Sequence, residues 1–64
     1  MVRFYRDTKT NTIHRVADFP APRREGYPQC GGKALVLLKE IDRFEARNAP
    51  DHEFCLRCWQ LAGN

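Results

Sequence analysis

The sequence lacks long apolar runs. No segment approaches the roughly 20 apolar residues that a membrane-spanning helix needs, and the amino terminus has no apolar core of the signal-peptide kind. We therefore expect a cytoplasmic protein with no membrane partner, in a compartment that keeps thiols reduced.

Signatures of catalysis are also missing. The sequence has no glycine-rich phosphate loop, and no Ser, His and Asp arrangement that 64 residues could bury. His52 and Glu53 are adjacent, but they lie in a polar stretch where such residues are ordinarily solvated. We predict that the protein is not an enzyme.

Cysteine is scarce and odd in number. A disulfide framework would leave one of the three thiols over, whereas three thiolates and one imidazole complete a tetrahedral zinc site. A chain this short often needs a metal to supplement its core. Cys55 and Cys58 have the Cys-x2-Cys spacing that places two sulfurs on one ion. A redox pair of the thioredoxin type is disfavoured, because no βαβ pattern surrounds the two cysteines.

The sequence offers alternatives for the other two zinc ligands. Cys30 precedes Gly31-Gly32, which lets the backbone turn tightly beside a ligand, although a buried free thiol is the alternative. His14 and His52 compete for the fourth position. We favour His14, which lies in a predicted strand among apolar neighbours. The predicted cofactor is Zn²⁺, and the predicted ligands are His14, Cys30, Cys55 and Cys58.

The pattern of residue types predicts a small zinc-stabilised α+β fold, with residues 1–64 forming a single domain. Two β-prone segments, 2–6 and 12–16, flank a turn-like stretch and predict an N-terminal β-hairpin. A stiff, proline-containing loop follows over residues 17–29. Residues 33–47 then predict an amphipathic central helix, with a short buried strand over 34–38 as the alternative. The Cys-x2-Cys knuckle leads into a short C-terminal helix.

The order of these ligands resembles a known class. A strand with His14, then Cys30-Gly31, then Cys55-Leu56-Arg57-Cys58 is similar to the short His/Cys zinc-finger proteins of actinobacteria and their phages. The resemblance implies a structural zinc module, in a class whose biological roles are mostly unassigned.

Two binding functions remain open. The favoured one is contact with a protein partner, as in a phage or actinobacterial accessory or regulatory protein, through apolar residues that a small core leaves uncovered. The candidates are Leu56, Trp59 and Leu61. The alternative is nucleic-acid binding, because residues 1–33 carry seven basic and three acidic side chains. The candidates there are Arg3, Arg6, Lys9, Arg15, Arg23, Arg24 and Tyr27.

Overall fold

A computed structural model describes residues 2–18, 22 and 24–61, with Leu61 described in its backbone only. The described residues form three strands and two short helices. They are β1 (Val2–Asp7), β2 (Thr12–Ala17), β3 (Lys39–Ile41), α1 (Arg43–Asn48) and α2 (Leu56–Leu61). Single 3-10 turns lie at Leu35–Leu37 and Asp51–Glu53. The α+β class, the N-terminal hairpin and the C-terminal short helix are confirmed.

The strands form an antiparallel sheet in the order β2-β1-β3. The hairpin turn is held by Asp7, whose carbonyl and side-chain oxygens accept hydrogen bonds from the amides of Asn11 and Lys9. Asn11 adopts the left-handed backbone conformation, with φ of 59°, that asparagine tolerates better than most residues. This local chemistry explains why the turn was evident from the sequence.

The apolar core lies on one face of the sheet. Ile13, Ile41 and Ala46 are buried there, and partly buried side chains pack against them: Phe4, Ala49, Phe54 and Trp59. Side chains alternate along a strand, so His14 lies on the opposite face from Ile13. His14 is half-buried beside Val16, but it does not point into the main core.

The predicted central helix over residues 33–47 is wrong in most of its extent. Residues 39–41 pair with β1 as the third strand, and the helix begins only at Arg43. Asp42 caps it, because its side chain accepts a hydrogen bond of 2.7 Å from the Glu45 amide. The alternative of a strand over 34–38 is also wrong, since Leu35–Leu37 forms a 3-10 turn.

The helical stripe that supported this prediction does not form one buried face. Ile41 is buried, but Leu37 is 65% exposed and Phe44 is 76% exposed. The helices α1 and α2 have six residues each. Within the described part of the chain, no helix is long and apolar enough to span a bilayer.

Candidate metal centre

A cluster of one histidine and three cysteines lies beside β2. The Nδ1 atom of His14 is 3.5 Å from the Sγ atom of Cys30 and 3.6 Å from that of Cys58. Cys55 completes the group, and all four potential ligand atoms lie within 4.8 Å of one another. The sequence separates these residues by as much as 44 positions, so the fold brings together the four side chains that were predicted as ligands. Such a cluster can hold a metal ion.

A tight turn positions Cys30. The amide of Gly31 donates to the carbonyl of Pro28 at 2.8 Å, and Gly31 has a φ of 70°, where glycine avoids the steric cost that other residues meet. Gln29 ties this turn to β2. Its amide donates to the Arg15 carbonyl at 2.9 Å, and its buried Oε1 accepts from the Ala17 amide at 3.2 Å.

The cysteine pair is attached to the same strand. Phe54 forms a parallel bridge with Ile13, and the Cys55 amide donates to the Ile13 carbonyl at 2.8 Å. Cys55 immediately precedes α2, and Cys58 lies in its first turn. The backbone pairing therefore brings both sulfurs beside His14, the next residue of β2.

Burial keeps the Cys58 thiol and the His14 imidazole of the metal-free cluster uncharged. Burial raises the pKa of the Cys58 thiol to about 12, although the backbone amides of Arg15 and Cys30 donate hydrogen bonds to its sulfur. Burial also lowers the pKa of His14 below its usual value, which favours the neutral imidazole that binds metals. A metal ion that binds the sulfur displaces the proton of such a buried thiol, so that the ligand is a thiolate.

An ion pair outside the cluster links the Cys30 turn to the hairpin. The Nζ atom of Lys33 lies 3.0 Å from the Oδ2 atom of Asp7, whose side chain is largely buried. Lys33 is the main cause that lowers the pKa of the Asp7 carboxyl, followed by the hydrogen bond from the Lys9 amide.

His52, the competing fourth ligand, lies outside the cluster. It is exposed in the 3-10 turn at Asp51–Glu53 and is not part of the group of potential ligands.

The basic residues predicted to bind nucleic acid do not share one surface. Arg3 lies on one face of the sheet, while Arg6 and Arg15 lie on the other. Arg6 is engaged by two carboxylates, Glu45 at 3.2 Å and Glu53 at 3.1 Å. Lys9 is exposed in the hairpin turn.

Arg24 and Tyr27 lie in the segment after β2. The guanidinium of Arg24 lies 4.2 Å from the centre of the Tyr27 ring. Arg23 falls outside the described residues. The described members of the set therefore lie on more than one surface.

The three predicted protein-contact residues also differ from one another. Leu56 is 72% exposed. Trp59 instead packs on the core, with its ring centre 4.7 Å from that of Phe54 and 6.2 Å from that of Phe4. The Leu61 side chain lies outside the described residues.

Gln29 is a supporting residue that the sequence analysis missed. Its neighbours Pro28 and Cys30 mark a turn beside a ligand, but no feature of the sequence indicates that this glutamine is buried. Its role follows from the pairing of the turn with the outer edge of β2.

Comparison with known proteins adds no relative. A scan against family models, a search of curated proteins and a search of solved structures each find no match. The similarity to the short His/Cys zinc fingers stays a prediction from the ligand pattern.

Proposed function

We propose that the cluster is a structural zinc site and that the protein is a small binding module held together by it. A tetrahedral zinc ion, with Zn–S bonds of about 2.3 Å and a Zn–N bond of about 2.0 Å, holds sulfur and nitrogen about 3.5 Å apart. The His14 Nδ1 atom lies 3.5 and 3.6 Å from two of the sulfurs. This agreement is the observation that carries the proposal.

The number of donors favours a structural role over a catalytic one. Three thiolates and one imidazole fill a tetrahedral shell, whereas catalytic zinc keeps a position open for water or substrate. The apolar core is also small, since Ile13 and Ile41 are the only large aliphatic side chains among the described residues that are buried. A module with so little buried apolar surface depends on its metal for stability.

A protein partner suits the remaining surface better than nucleic acid does. Several large apolar side chains are solvent-exposed. They contribute little to the stability of the isolated domain, and a protein partner could bury them. They are Val36, Leu37, Phe44 and Leu56. The predicted basic set, by contrast, is divided between two faces and partly engaged in ion pairs. An accessory or regulatory role in a reducing compartment, of the kind expected for phage or actinobacterial zinc fingers, is consistent with free thiols.

Metal substitution tests the zinc site. Purified protein should contain one zinc per chain, and replacement by Co²⁺ should give the visible absorption of tetrahedral coordination with thiolate charge-transfer bands. His14→Ala should abolish this spectrum, while the matched control His52→Ala should retain it. A wild-type protein that binds no metal, or a spectrum lost in His52→Ala but kept in His14→Ala, would refute the assignment.

A further inference from the structure

A cavity of about 460 Å³ lies on the core face of the sheet, between β1, β2 and the two helices. We call it the arginine pocket. Its apolar wall comes from Phe4, Phe54 and Trp59, and three arginines line the remainder: Arg15, Arg43 and Arg47. A cavity of a few hundred Å³ is large enough to take one side chain of a partner or a small ligand.

The described residues that line the arginine pocket carry positive charge and no negative charge. No carboxylate is among the described residues that line it, and Arg43 and Arg47 make no ion pair within the described part of the chain. These two arginines lie four residues apart on α1, so they share a face and repel each other. The one glutamate of α1, Glu45, pairs with Arg6 instead.

Arg15 strengthens this argument from inside the pocket. Its guanidinium carbon lies 5.9 Å from the centre of the Trp59 ring, and its buried Nε atom has no hydrogen-bond acceptor within the described residues. A buried donor without an acceptor costs stability, and the Arg15 charge adds to that of Arg43 and Arg47 in the pocket lining.

The aromatic wall favours an apolar side chain over a nucleic-acid base. Base stacking needs a free ring face, but Trp59 is already in contact with Phe4, Phe54 and the Arg15 guanidinium. A branched or aromatic side chain needs only apolar surface, which the packed rings still offer.

We propose that the arginine pocket binds an acidic peptide segment of a partner protein, with one apolar side chain seated against the rings and flanking carboxylates paired with the arginines. The inference rests on the proposed role as a zinc-held binding module and names the chemistry of its partner. Arg15 follows His14 in β2, and Trp59 follows Cys58 in α2. The metal cluster therefore fixes two walls of the pocket, so that binding requires the metal-loaded protein.

Fluorescently labelled short peptides test this proposal. The probe is a glutamate-rich peptide with a central leucine, phenylalanine or tryptophan, titrated with zinc-loaded protein at low salt and followed by anisotropy. Matched probes replace the glutamates with glutamine, or the central residue with serine. Trp59 is the only tryptophan of the chain, so its emission, read with the leucine probe, reports whether the pocket itself is occupied. Single-stranded DNA and RNA serve as the competing probes.

The variants separate pocket charge from total charge. The double variant Arg43→Gln with Arg47→Gln should lower the affinity for the acidic apolar peptide by about tenfold or more. A tenfold loss corresponds to about 1.4 kcal/mol. The control, Arg3→Gln with Arg24→Gln, removes the same charge outside the pocket and should leave the affinity unchanged. Circular dichroism and the Co²⁺ spectrum check that every variant is folded and metal-loaded.

The outcomes are distinguishable. Pocket-dependent binding that needs both the glutamates and the apolar residue supports the proposal. No peptide binding up to about 1 mM, an equal loss in the control variant, or pocket-dependent binding of the oligonucleotide alone would overturn it. Those results would leave the zinc-module proposal standing, whereas a protein that stays folded without metal would overturn the structural-zinc proposal itself.

Discussion

Replacing Cys58 by serine should unfold the protein at neutral pH. Cys58 is fully buried, and its sulfur lies 3.6 Å from the His14 Nδ1 atom. Serine supplies no thiolate, so the metal site loses one of its four donors. Metal binding contributes about 10–16 kcal/mol in zinc-finger peptides. This is comparable to the roughly 5–15 kcal/mol by which typical domains are stable, so we expect the small residual core to be insufficient to hold the fold.

The assay is far-UV circular dichroism together with the bound-zinc content. If the metal played no role, Cys58→Ser would reduce the free energy of unfolding much less, because an unsatisfied buried hydroxyl costs about 1–3 kcal/mol. A chelator should reproduce the serine phenotype in the wild-type protein, and His52→Ala should have neither effect. If Cys58→Ser retained one zinc and a native spectrum, or if the wild-type spectrum survived complete chelation, the structural role of the metal would be wrong.

Three further predictions concern the elements around the site. Gly31→Ala should cost about 1–2 kcal/mol in denaturant unfolding, since its φ is 70°. The control Gly32→Ala should be mild, because its new Cβ would meet the Cys30 sulfur at an ordinary 3.6 Å, and equal costs would contradict the argument. Asp42→Ala should cost about 1 kcal/mol through loss of the α1 cap, and an unchanged unfolding midpoint would contradict this. Acidification should release the metal, because protons compete with the ion for the imidazole and the thiolates; a zinc indicator and circular dichroism follow the release. Burial lowers the pKa of His14, so its stabilising effect is present above the unfolded-state pKa and lost as the pH falls. A protein that keeps its zinc at about pH 4 would refute that prediction.

Local chemistry made the hairpin and the members of the His/Cys cluster predictable. Asp7 and Asn11 act within the turn itself, and the Cys-x2-Cys and Cys-Gly spacings act within a few residues. His14 was favoured over His52 because a strand among apolar neighbours buries a side chain more readily than a polar stretch does. The structure brings His14 to the cysteines and leaves His52 exposed.

The segment 33–47 shows where such reasoning fails. Its residues are strong helix formers, but hydrogen bonds to β1 convert 39–41 into a strand, with Ile41 opposite Phe4. Intrinsic propensity differs by only fractions of a kcal/mol per residue, so tertiary pairing overrides it. The Asp42-x-x-Glu45 spacing resembles a capping box and was the one local sign that a helix begins there.

The sequence by itself determined the kind of site, because the odd number of thiols and the spacing of Cys55 and Cys58 depend on composition and short-range geometry alone. Only the tertiary structure decided which surfaces are free. Sheet pairing separates Arg3 from Arg6 and Arg15, ion pairs engage Arg6, and α1 brings Arg43 and Arg47 to the aromatic wall. Charges and rings distant in sequence meet only when the sheet and helices pack, so no local pattern could have revealed the arginine pocket.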